Sequence, residues 1–178
     1  MLMRGDKVAP VENAQPTLSR PAPAPEFEPL LDVQGVRRAM KQFAYDEQDV
    51  LADIEEGRYL WCFNIASTTE SRRELRIYAP CVQDRIRQMA DRRFTGAPYT
   101  LQQVLRSLFP RKPAGQDWVS SSPDLCLAFV CSPELAISLV ASGELQVLPG
   151  TGWRRGVGGA ARITWPSLTA FLERRRVF

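Results

Sequence analysis

The sequence predicts an α+β fold, mainly α, assembled from two tandem copies of one small unit and a helix that bridges them. Three observations carry this. Residues 35–92 lie on residues 121–178 without a gap at a shift of 86, so that Gly57 meets Gly143, Arg76-Ile77 meets Arg162-Ile163, Pro80 meets Pro166 and Phe43 meets Phe129. Apolar positions repeat in the same order, Leu51 with Ile137, Ile54 with Val140, Val82 with Leu168 and Ile86 with Leu172. Between the copies, Thr100-Leu-Gln-Gln103 is a reciprocal capping pattern leading an amphipathic run of Leu101, Val104, Leu105, Leu108 and Phe109, the signature of a helix start. Matches that fall on punctuating and core positions in one order mark a repeated supersecondary unit.

The elements follow from local chemistry. In the second copy, Asp124 to Phe129 is a short apolar helix, and a tight turn follows at Val130 to Ser132. Ser132-Pro133-Glu134 then supplies an N-cap and a proline at the first helical position, where the missing N–H costs nothing. That helix places Leu135, Leu139 and Val140 on one side and ends at Gly143, the expected left-handed cap. Leu145 to Leu148 and Ala160 to Thr164 read as a β-hairpin around a Gly- and Arg-rich loop, Pro149 to Gly159. Trp165-Pro166 opens a last helix with Leu168, Phe171 and Leu172 inward and Arg174, Arg175 and Arg176 near its end, where cations suit the helix dipole. The first copy repeats this as Val36 to Phe43, Asp46 to Glu56, Gly57, strands Tyr59 to Ala66 and Glu74 to Tyr78 around the loop Ser67 to Arg73, and Pro80 to Arg92. Pro110 and Pro113 end the bridging helix.

The chain therefore divides into an arm (1–32), an N-terminal module (33–95), the bridging helix and linker (96–115) and a C-terminal module (116–178). The arm holds six of the fourteen prolines and five acidic against three basic residues, too little apolar surface to offset its ordering entropy, and is expected to be disordered. With 178 residues, 44% of them hydrophobic, the chain suffices for one generous core or two small ones. A net charge of +3 does not by itself mark a binder of polyanions, but residues 33–113 hold 14 basic against 10 acidic side chains, most of the former arginine.

Helix, short turn, a helix ending Ser142-Gly-Glu-Leu145, hairpin, Arg162-Ile163, then a helix running Leu168-Thr-Ala-Phe-Leu-Glu-Arg-Arg-Arg176: this series resembles the excisionase-type winged helix-turn-helix family, relatives of MerR-like regulators. The resemblance is best over Asp124 to Val177, and residues 35–92, with Ile54-Glu-Glu-Gly-Arg58 and Arg76-Ile77, look like a divergent second member. It implies two tandem winged helix-turn-helix modules that bind double-stranded DNA, as a transcriptional regulator or a recombination accessory factor. The second helices, Asp46 to Glu56 and Pro133 to Ser142, would enter the major groove. The wings, Ser67 to Arg76 and Gly152 to Arg162, would lie along the backbone or in the minor groove.

On that reading Arg72, Arg73 and Arg76 in one wing and Arg154, Arg155 and Arg162 in the other contact phosphates or a narrow minor groove. Ser138 and Ser142 face the duplex from the second helix, and Arg174 and Arg175 add to the contact. Arg76 and Arg162 each sit beside an inward isoleucine, so an intramodule salt bridge competes with phosphate contact at both. Two modules in one chain imitate a dimer, which implies a bipartite site with half-sites roughly 34 Å apart. One feature runs against groove entry. Asp46, Glu47, Asp49, Asp53, Glu55 and Glu56 crowd the first reading helix, and the second lacks the Arg, Lys, Asn or Gln of bidentate base contacts. The alternative is a protein–protein adaptor that binds a partner through the acidic first module and the bridging helix, or self-associates.

Catalysis is not expected. Histidine is absent, which removes the usual general base and the triads built on it, and no phosphate-cradling or dinucleotide glycine motif is present. No metal or other cofactor is implied. Cys62, Cys81, Cys126 and Cys131 form no Cys-x-x-Cys pair and read as reduced, packed thiols. Trp61, Phe63, Trp153 and Trp165 read as core or hairpin packing rather than stacking platforms. No apolar run approaches the roughly 18 residues of a bilayer span and no secretory signal is evident, so a cytoplasmic chain with no membrane partner is expected.

Overall fold

A computed structural model describes residues 27–68, 73–151 and 161–178, and shows an α+β chain with small antiparallel sheets. In order come β1 (Leu30–Leu31), α1 (Val33–Ala39), α2 (Glu47–Glu55), β2 (Cys62–Asn64), β3 (Leu75–Tyr78), α3 (Ala79–Ala90), α4 (Leu101–Leu108), β4 (Trp118–Ser120), α5 (Cys126–Phe129), α6 (Pro133–Ala141), β5 (Arg162–Thr164) and α7 (Trp165–Arg175). A 3-10 turn, Lys41–Phe43, follows α1, and an irregular turn, Ser121–Leu125, precedes α5.

The period of 86 is written into the backbone. Among the described residues the non-glycine residues with left-handed φ are Ala44 (55°) and Val130 (48°), and the glycines that end α2 and α6 are Gly57 (67°) and Gly143 (76°). Asp46 and Ser132 cap α2 and α6 by accepting from Asp49 N and Leu135 N. Pro80 and Pro166 sit in the first turns of α3 and α7. Each of these pairs is one repeat apart because each position demands the same chemistry: a left-handed turn, a polar cap, a pre-set φ.

Sequence reading missed β1 and β4, two short strands that open the units. β1 pairs with β3 (Leu30 opposite Tyr78, Leu31 opposite Ile77), and β4 pairs with β5 (Trp118 opposite Thr164, Val119 opposite Ile163). In the first sheet the order is β1-β3-β2, with Phe63 opposite Arg76. In the second unit the expected strand Leu145 to Leu148 makes a single bridge, Val147 to Ile163, framed by Thr164 N to Gln146 O (2.9 Å) and Leu148 N to Arg162 O (2.8 Å).

Alternation along the first sheet sends its side chains into two cores. Cys62 and Ile77 face α1, α2 and α3, with Val36, Met40, Val50, Ile54 and Val82. Leu30, Phe63 and Tyr78 face the other way, into a larger cluster shared with α4 and the second unit, where Phe129, Leu139, Phe171 and Leu172 are wholly buried. The bridging helix lies inside this shared core through Val104, Leu105 and Leu108. Its capping box is formed, Gln103 N to Thr100 Oγ1 at 3.3 Å and Thr100 N to Gln103 Oε1 at 2.7 Å. Ser107 fixes it to the first sheet through Tyr78 OH at 2.7 Å. Trp61, Phe63 and Trp165 are packing residues as expected, with Trp61 and Phe63 stacked at 6.0 Å; Trp153 lies outside the described residues. Among the described residues no helix is long and apolar enough to cross a membrane.

Candidate nucleic-acid interface

The described arginines divide into those engaged within the chain and those presented outward. Arg76 is only 8% exposed. Its Nε donates to Phe129 O (2.8 Å), Nη2 to Val130 O (3.0 Å), and Nη1 to Leu75 O (2.9 Å) and Glu74 Oε2 (3.3 Å). Two of those acceptors are carbonyls at the C-terminal end of α5, which have no intrahelical partner and carry the negative end of the helix dipole. The structure thus corrects the reading of Arg76 as a phosphate contact. It joins the first sheet to the second unit, and the Glu74 ion pair is only one part of that arrangement.

Arg175 is partly buried and Ser142 is exposed, and both are engaged in bonds within the chain. Arg175 Nη2 closes on the Glu144 carboxylate, which also accepts from Thr68 N (2.8 Å) and Thr68 Oγ1 (3.1 Å). Ser142 Oγ donates to Leu139 O (3.2 Å) and to Glu144 Oε1 (3.4 Å), at the end of α6. Burial works to raise the Glu144 carboxyl pKa, but the Thr68 amide and Arg175 outweigh it and leave it below the ordinary carboxylate value. Glu144 is therefore a second clasp between the units. In sequence Glu144 merely follows the glycine that ends the second helix, and nothing local signals that its partner is the loop after β2.

The remaining described candidates are accessible. Arg73 and Arg174 are exposed and line one depression of about 340 Å³ together with Arg175, Arg176 and Asn64. Asn64 holds the base of the hairpin that delivers Arg73, its Oδ1 accepting from Ala66 N (3.2 Å) and Glu74 N (3.0 Å). Arg176 spreads over the Trp61 ring at 4.1 Å, a contact that fixes its guanidinium plane while leaving it open to solvent. Glu55, the last residue of α2, lines the same depression. Arginines far apart in sequence, from the first hairpin and the last helix, thus line one depression.

Arg162 does not line that depression; it is exposed on the second sheet and lies over the Trp118 ring at 4.6 Å. Ser138 is half-buried on α6. Arg72, Arg154 and Arg155 lie outside the described residues. Asp53, expected on the acidic face of α2, is turned inward and 5% exposed. Arg85 grips it through Nε and Nη2, both at 2.9 Å, and Tyr45 OH donates at 2.8 Å.

No protein-family model matches the chain, and no curated protein or solved structure is found to be similar to it. The chemistry of the site therefore rests on its own geometry. The outer face of α2 carries Glu47, Asp49, Glu55 and Glu56, and that of α6 carries Glu134, Ile137 and Ser138, so neither helix offers a cation. The depression beside Asn64 offers planar, multi-donor groups suited to oxyanions.

Proposed function

We propose that this chain is a DNA-binding protein built as two tandem winged helix-turn-helix modules, in which arginines from the first wing and the last helix, rather than α2 or α6, lead the contact. The observation that carries this is that the exposed Arg73, Arg174 and Arg176 line one depression. Guanidinium groups placed so neutralise backbone phosphates irrespective of base sequence. The acidic face of α2 repels phosphates and keeps that helix out of the groove, so sequence preference is modest and arises from groove shape. Regulation of transcription and assistance to recombination both fit such a binder.

The test is titration of the folded chain with mixed-sequence duplex at low and moderate salt. Binding should weaken as salt rises with a log–log slope of about −0.9 for each phosphate neutralised. The triple variant Arg73→Ala, Arg174→Ala, Arg176→Ala should flatten that slope; an unchanged slope discards the assignment. A second reading, a protein adaptor, cannot use the apolar side of the bridging helix, because Val104, Leu105 and Leu108 are buried in the core; it is favoured instead by one observation, that Leu127, Val130 and Ile137 are 60%, 44% and 41% exposed around α5 and α6. Absence of DNA binding in the parent, with a partner captured through Ile137, decides for it.

A further inference from the structure

Of the four cysteines, two are sealed in the core and two are not: Cys62 and Cys81 are buried, whereas Cys126 and Cys131 are half-buried. The second pair brackets the turn between α5 and α6. Val130 takes the left-handed conformation after α5, and Cys131 N donates back to Cys126 O at 3.1 Å. This is the six-residue helix-ending turn in which the first and last side chains meet. Cysteines occupy both of those positions. Elsewhere such a contact is made by two apolar groups, and in the first repeat the equivalent residues are Met40 and Tyr45. Cys131 also lines an open depression with Glu74, Arg76, Ser132 and Glu134, so small solutes reach it.

The geometry points to Cys126 and Cys131 as a thiol–disulfide modification site, whose oxidant is a low-molecular-weight disulfide such as oxidised glutathione. The Cys131 thiolate attacks one sulfur of the small disulfide, breaking its S–S bond and releasing one small thiolate. The Cys126 thiolate then attacks the Cys131 sulfur of the mixed disulfide and expels the second. The cysteines lose two electrons and two protons in all, and the small disulfide is reduced to two thiols. Burial pushes the Cys131 thiol up to about 12 and also raises Cys126. The reaction is accordingly slow near neutrality and accelerates about tenfold per pH unit, because the thiolate is the nucleophile. The bond closes around Phe129 and Val130, whose carbonyls hold Arg76, and so pins the junction between the repeats.

The experiment exposes the intact chain to oxidised glutathione at mildly alkaline pH, alkylates the remaining thiols under denaturing conditions and maps the peptides. The expected result is a Cys126–Cys131 disulfide, with Cys62 and Cys81 alkylated, reversed by dithiothreitol. Cys126→Ser should instead stop at the Cys131–glutathione mixed disulfide. Quantitative alkylation of all four cysteines, a bond to Cys62 or Cys81, or a bond between chains overturns the proposal.

Discussion

The two repeats place opposite chemistry at the same positions of one scaffold. In the first, Asp53 on α2 is buried and held by Arg85 on α3, with Tyr45 and Tyr59 donating to it at 2.8 and 3.4 Å. One repeat later stand Leu139 and Phe171, both wholly buried, with Cys131 and Leu145 at the tyrosine positions. The backbone does not require either solution. What it requires is that the space between the second and last helices be filled, and that any charge placed there be paired. The sheets diverge in the same way. Arg76 is covered by the second unit, while its counterpart Arg162 faces solvent over Trp118, because nothing among the described residues caps the second sheet as the second unit caps the first.

The largest effect should come from breaking the ion pair on one side only. Asp53→Ala leaves the half-buried Arg85 without its carboxylate and should cost about 3 kcal/mol in urea unfolding. Asp53→Leu combined with Arg85→Phe, which copies the second repeat, should recover most of that loss; a double variant as unstable as the single would show that the repeats are not interchangeable here. Next comes Arg76→Met, which strands the carbonyls of Phe129 and Val130 and should cost about 2–3 kcal/mol. Arg162→Met should change stability by less than about 1 kcal/mol, since only an exposed ring contact is lost.

The Glu144 clasp sharpens the comparison through pH. Its folded pKa is depressed, so its contribution is complete above the unfolded carboxyl value and is lost as pH falls through the lower folded value. Glu144→Gln should cost about 1–2 kcal/mol at neutral pH and flatten the acid limb of the stability profile. The smallest effect concerns the paired left-handed residues. Val130→Gly should gain about 1 kcal/mol, because a β-branched residue there pays a steric cost that glycine escapes, and Ala44→Gly should gain less.

What the sequence disclosed was whatever its neighbours determine. The caps at Ser132 and Thr100, the glycine stops at 57 and 143, and the prolines of the last helices are each set within one turn of chain. β1 and β4 were not legible, because strands of two and three residues acquire meaning only from partners more than forty residues away. The inward turn of Asp53 did leave a trace: Val50, Asp53 and Ile54 share the helical spacing of a buried stripe. Arg76 left a fainter one, since an inward Ile77 sends its neighbour to the opposite face of the sheet. Which surface awaited it there depended on how the halves dock. In the candidate site, Arg73 and Arg174 were singled out separately, but their meeting, and the part played by Arg176 over Trp61, required the fold.

A first sheet buried on both faces also determines what becomes of the halves if they are separated. Cutting the polypeptide within the bridging segment would wet Leu30, Phe63 and Tyr78 along a continuous apolar strip and leave the Arg76 guanidinium facing water instead of peptide carbonyls. The severed N-terminal piece would be sticky rather than autonomous. Although the chain is written as a duplication, its first half survives only in the company of its second.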